Sequence, residues 1–155
     1  MSTMKSILLA IDGAMRARDQ AATDLAKIRL AVVSAQGQLD QLDHYASDTE
    51  SRWRDSSGKQ TTAELMRHHY QFLDRLHHAI GLQRSVIQNL TIQVDEAGTV
   101  LLQSEVRLAG LKKLETKRRG LQTALDAQFE QQQMDEFAAV QHTKLSAQRQ
   151  TGGRP

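Results

Sequence analysis

Apolar residues recur at alternating intervals of three and four along the first third of the chain. With Met4, Ile11, Arg18, Leu25, Val32, Leu39, Ala46 and Trp53 at heptad position a, position d holds Ile7, Ala14, Ala21, Ile28, Ala35, Leu42 and Thr49. Thirteen of these fifteen positions are apolar and the register never slips. That is the signature of a coiled-coil seam rather than of a helix in a compact globule. Only Arg18 and Thr49 interrupt it. Alanine at d lets two helices approach closely but buries little area, so the seam is expected to be only moderately stable.

The pattern stops at a polar stretch, Arg54-Asp55-Ser56-Ser57-Gly58-Lys59-Gln60-Thr61-Thr62, where glycine and serine mark a turn. Thr61 or Thr62 is suited to cap a new helix, and Thr61 with Glu64 has the spacing of a capping box. A second heptad run follows, with Met66, Leu73, Ile80, Ile87, Val94, Leu101 and Leu108 at a. Its d positions are His69, Leu76, Gln83, Leu90, Ala97, Ser104 and Leu111. After Leu111 the phase moves, and apolar residues recur at Leu114, Leu121, Leu125 and Phe129.

Folding the two runs back on each other makes facing residue numbers sum to about 118, so Leu42 opposes Leu76 and Met4 opposes Leu114. The phase changes where the first helix runs out, which favours an intramolecular hairpin over a parallel dimer. The predicted fold is all-α, a two-helix antiparallel coiled-coil hairpin over residues 1–147 with the second helix longer than the first. Helix one spans about 4–53, the turn 54–62 and helix two about 63–145, followed by a flexible tail, 148–155. The part of helix two beyond its partner carries Leu114, Leu121, Leu125, Phe129, Phe137 and Val140 with nothing in the chain to cover them. A one-sided apolar stripe of that kind is expected to be a binding surface or a dimer seam.

Composition narrows the class. The 155 residues include one proline, Pro155, and no cysteine. Nothing before that proline forces a helix to break, and a β-rich fold or a disulfide scaffold is excluded. The lack of cysteine fits a reducing compartment. No apolar run approaches the roughly 18 residues that span a bilayer. A cytoplasmic protein without a transmembrane segment is the expectation. A net charge of +2 conceals nearly balanced charges and does not by itself imply nucleic acid.

The chain contains no phosphate-binding loop, dinucleotide fingerprint or nucleophile elbow. A two-helix coil also offers no pocket in which to orient a substrate, so neither an enzyme nor a cofactor is expected. His68-His69 and His77-His78 suggest a metal. His69 and His77, however, are separated by ~12 Å along a helix, which favours solvated histidines. Arg107, Lys112, Lys113, Lys117, Arg118 and Arg119 form a basic cluster opposed only by Glu115. It reads either as a solvated helix face or as a dock for an acidic protein. Nucleic acid is disfavoured because no aromatic lies within the cluster for base stacking. The six aromatics lie near the turn (Tyr45, Trp53, Tyr70, Phe72) and on the overhang (Phe129, Phe137). By the pairing rule Tyr45 and Phe72 face each other beside the seam.

Certain letters are more specific than heptads. Tyr70-Gln71-Phe72-Leu73 with Leu76, Ala79, Ile80 and Gln83, the stretch from Gln38 to Tyr45, and the run Gln131-Gln132-Gln133-Met134-Asp135-Glu136-Phe137-Ala138 resemble the FliJ family of flagellar type III export proteins. The resemblance implies a non-catalytic antiparallel coiled-coil stalk that docks by its terminal ends into a hexameric export ATPase (FliI-like) and stimulates it. It further implies contacts with an export gate protein (FlhA-like), an ATPase regulator (FliH-like) and export chaperones, as a monomer peripherally associated with the inner membrane. The family's gate-binding patch carries over to Gln38, Leu42, Tyr45, Phe72, Leu76 and Ala79. Thr49 stands where tyrosine is usual, and Gln83 where some members have histidine. The ring-inserting part would be the overhang, with Arg107, Lys112, Lys113, Lys117, Arg118, Arg119, Leu121, Leu125, Phe129, Met134 and Phe137. An injectisome-type secretion stalk, an export chaperone and a coiled-coil adaptor are the alternatives.

Overall fold

The computed structural model describes residues 2–56 and 62–152, and these form two α-helices. Helix α1 runs over Ser2–Ser56 and α2 over Ala63–Gly152. Thr62 caps α2: its hydroxyl accepts the Leu65 N–H at 3.2 Å, and its carbonyl accepts the Met66 N–H at 3.1 Å. One otherwise unpaired donor of the first turn is thereby satisfied. The alternative cap at Thr61 lies outside the described residues. Both helices overrun their expected bounds, and α2 continues through Gln148 to Gly152, where a flexible tail was expected. No proline precedes Pro155 to stop it.

The chain divides into two units. One comprises residues 14–107, and the other joins residues up to Gly13 with residues from Leu108 onward. In the 14–107 unit the helices run antiparallel, since partners on α2 fall in number as those on α1 rise. The Gln83 side-chain amide reaches the Ala35 carbonyl at 2.9 Å, Tyr45 meets Phe72, and Trp53 stacks on His69. The core of this unit is a cluster of Leu39, Ala46, Leu76 and Ile80, with Leu42 and Ile87 packed against it. Farther along, Ala21 faces the Ala97 region, and these small residues leave a shallow groove bordered by Asp24 and Glu96.

All fifteen seam positions of α1 are buried or half-buried. Arg18 is among them, keeping its backbone at the seam while its guanidinium turns outward to the Asp19 carboxylate at 2.8 Å. The seam of α2 includes three polar d positions, all half-buried. Ser104 satisfies its hydroxyl by donating to the Val100 carbonyl at 3.0 Å. Gln83 donates to Ala35 and to Gln38 Oε1, the latter at 3.1 Å, and a polar group so placed fixes register. Met66 departs from expectation: it is 40% exposed, one turn into α2, ahead of the first tight packing at Leu73.

In the other unit Ile7, Ile11 and Leu108 are buried and Met4 and Leu111 half-buried. Past Leu111, Leu114 is exposed, and Glu115 is half-buried with the Arg119 guanidinium on its carboxylate. From Thr116 to Gln150 every residue of α2 is exposed. Local pairs one turn apart support this uncovered stretch: Arg119 to Glu115 at 2.7 Å, Gln122 to Asp126 at 3.1 Å and Gln131 to Asp135 at 3.3 Å. Each such pair adds about 0.2–0.5 kcal/mol to a helix.

Candidate functional site

Two surfaces, one in each unit, hold the residues singled out in the sequence. In the 14–107 unit, Tyr45 and Phe72 come from different helices and meet edge to face, with ring centroids 5.9 Å apart and planes at 82°. They remain 53% and 40% exposed. This arrangement sets the positive edge of one ring against the negative face of the other. Gln38, about two turns before Tyr45 on α1, is exposed and tied to Gln83.

The other three residues of the patch are less accessible. Leu76 is 8% exposed and belongs to the core, while Leu42 and Ala79 are half-buried. The exposed residues of the six are therefore Gln38, Tyr45 and Phe72, while Leu42 and Leu76 pack together in the seam. Seam residues point at the opposite helix, which is why two leucines facing each other become packing rather than surface.

Nearer the turn, Trp53 stacks on His69 with centroids 4.0 Å apart and planes 8° from parallel. His69 meets Tyr70 edge-on at 5.5 Å. His77 Nε2 lies 3.2 Å from Glu50 Oε1. Among the described residues no three histidine, aspartate or glutamate side chains converge on a point that could hold a metal ion. The Glu50–His77 contact and an Asp43–Arg84 ion pair at 3.9 Å escaped the sequence reading, because their numbers do not fit the facing-pair sum. Long side chains reach past their direct opposites. The Gln83 to Ala35 bond does fit that sum, and could have been read from it.

The second surface is the uncovered part of α2 in the other unit. Lys112, Lys113, Lys117, Arg118 and Arg119 are exposed there, and Arg107, the last residue of the 14–107 unit, is exposed as well. Leu121, Leu125, Phe129, Met134 and Phe137 are 55%, 58%, 60%, 69% and 67% exposed. Met134, Phe137 and Ala138 form a shallow concavity with Glu130 and Gln133. By helical phase Leu114, Leu121, Leu125, Phe129, Phe137 and Val140 fall within roughly 160° of the circumference, and Met134 lies outside that arc. Leu121, Leu125 and Phe129 are spaced by four, and four residues overshoot a helical turn by roughly 40°, so the apolar line slants across that arc.

Among the described residues no helix is long and apolar enough to cross a membrane. The family described as Flagellar FliJ protein matches the chain over residues 7–145. No curated protein sequence matches it. Among solved structures, CT670 of Chlamydia trachomatis, described as a YscO homologue, superposes with a TM-score of 0.78 at 14% identity. The superposition covers 99% of this chain and 96% of that one. At that identity the likeness is one of fold.

Proposed function

The chain belongs to the flagellar FliJ family, and on that premise we propose that it is a non-catalytic stalk of a type III protein export apparatus. In this reading it docks into a hexameric export ATPase, stimulates it, and contacts the export gate through a separate surface. An ATPase regulator and export chaperones are its further partners, and it works at the cytoplasmic face of the inner membrane. The observation that carries the reading is the uncovered stretch of α2. Large apolar side chains there are more than half exposed, on a helix that also exposes Lys112, Lys113, Lys117 and Arg118. Such a surface is costly to leave in water unless a partner covers it.

The gate contact is assigned to Gln38, Tyr45 and Phe72. Rigid aromatics give contact area at low entropic cost and are favoured as anchors. The ATPase contact is assigned to Lys112, Lys113, Lys117, Arg118 and Arg119 with Leu121, Leu125, Phe129, Met134 and Phe137.

The experiment is ATP hydrolysis by the cognate export ATPase with and without this protein. Full-length chain raises turnover, and a chain truncated after Leu111 does not. Full stimulation by the truncated chain rules out the overhang as the docking element. Binding of unfolded cargo with no effect on hydrolysis favours an export chaperone instead.

A further inference from the structure

The uncovered helix presents its apolar side chains on opposite sides. Leu125 and Met134 are nine residues apart, roughly two and a half helical turns, so they project in opposite directions. Leu114, Leu121 and Phe129 lie within about 40° of Leu125, Phe137 and Ala138 lie towards the side of Met134, and Val140 falls between. Both sides are open, since no residue from Thr116 to Gln150 is covered. A single groove engages one helix face, through anchors at i, i+3, i+4 and i+7. It would leave either the leucines or the Met134–Phe137 concavity in water.

The two sides also differ in charge. Lys117 and Arg118 each stand one turn from both Leu114 and Leu121, so cations border the aliphatic side. The nearby carboxylates are engaged elsewhere, Glu115 with Arg119 and Asp126 with Gln122. On the opposite side Met134 and Phe137 are bordered by Gln133 and Glu130, with no cation in that concavity. The two levels are roughly 25 Å apart along the helix.

Building on the stalk reading, we propose that the ATPase contact encloses this helix and reads it at two levels on opposite sides. At the level of Lys117 and Arg118 the partner presents acidic groups around an apolar surface. At the level of Met134 and Phe137 it presents an uncharged apolar surface, to which methionine adapts because its side chain is unbranched and polarisable. The angle between the two sides is then part of the recognition.

Helical phase tests this directly. One alanine inserted between Gln131 and Gln132 rotates everything after it by roughly 100° while moving it only about 1.5 Å along the axis. The control is Gln132→Ala, which introduces the same residue without a phase change. Both full-length variants are titrated into the hexameric export ATPase, with helicity followed by circular dichroism. The insertion is expected to raise the half-maximal concentration for stimulation by about tenfold or more, with helicity retained and the control behaving as wild type. Lys117→Glu with Arg118→Glu is expected to raise it similarly and to flatten its dependence on salt. Wild-type behaviour of the insertion overturns the two-sided contact, and wild-type behaviour of the double charge reversal overturns the acidic level. Equal loss in the insertion and Gln132→Ala also overturns phase as the cause. Failure of the unaltered chain to stimulate the ATPase overturns the stalk reading itself.

Discussion

Leu76 and its neighbours Tyr45 and Phe72 provide a sharp comparison, because side chains in one region are assigned to packing and to contact. Leu76 is 8% exposed and touches the cluster of Leu39, Ala46 and Ile80. Leu76→Ala should cost about 2–3 kcal/mol, towards the low end for a buried leucine, because a two-helix seam can close partly over the vacancy. Tyr45→Leu with Phe72→Leu removes the ring–ring contact but keeps aliphatic cover over the seam. It should cost only the edge-to-face interaction, about 0.5–1.5 kcal/mol. For a chain of this size these values translate to a fall in Tm of roughly 5–10 °C for Leu76→Ala and about 1–6 °C for the double variant. Gate binding should order them the other way when measured well below either midpoint. The double variant should lose about tenfold or more in affinity, and Leu76→Ala less than about threefold. The assays are thermal unfolding followed by circular dichroism and titration against the export gate protein. If Leu76→Ala weakens gate binding more than the aromatic pair does while still folded, the division into packing and contact is wrong.

Two smaller perturbations probe local structure. Thr62→Ala removes the cap hydroxyl from the Leu65 N–H and should lower stability by about 1 kcal/mol, read as a reduced urea midpoint with unchanged m-value; no shift means that another group caps α2. Gln83→Ala removes both cross-helix hydrogen bonds and should cost about 1–2 kcal/mol, and spin labels placed on opposite helices should show a broader spread of distances as the register loosens. An unchanged spread would assign the register to hydrophobic packing alone.

The seam was legible because its cause is local and repeated. Apolar residues at thirteen of the fifteen a and d positions of α1 are a direct record of one buried face, and Ile7, Leu25, Leu39 and Ala46 are all buried as that record requires. Tyr45 and Phe72 could be paired from sequence because antiparallel helices of equal rise keep a constant sum of facing numbers. The same rule could not say whether Leu42 and Leu76 are contact or core, since side chains opposite each other at a seam exclude any third party. Nor did it reach the overhang, where no facing helix sets a register. The end of α2 was missed because its last residues, Ser146 to Gly152, carry no apolar signal by which helix can be told from tail.

Among the described residues no side chain is completely enclosed, even in the cluster around Ile80. A core that is a single seam has a simple arithmetic of size: removing or adding two turns of matched seam on both helices takes away or supplies a rung and leaves no hole behind. Globular domains cannot be resized in this way, because shortening one element strips cover from several others. Here the cost of a change stays near where it is made, as in stacked repeats. The length of the seam within the 14–107 unit is thus a quantity that selection could adjust heptad by heptad, leaving the chemistry of its aromatic patch untouched.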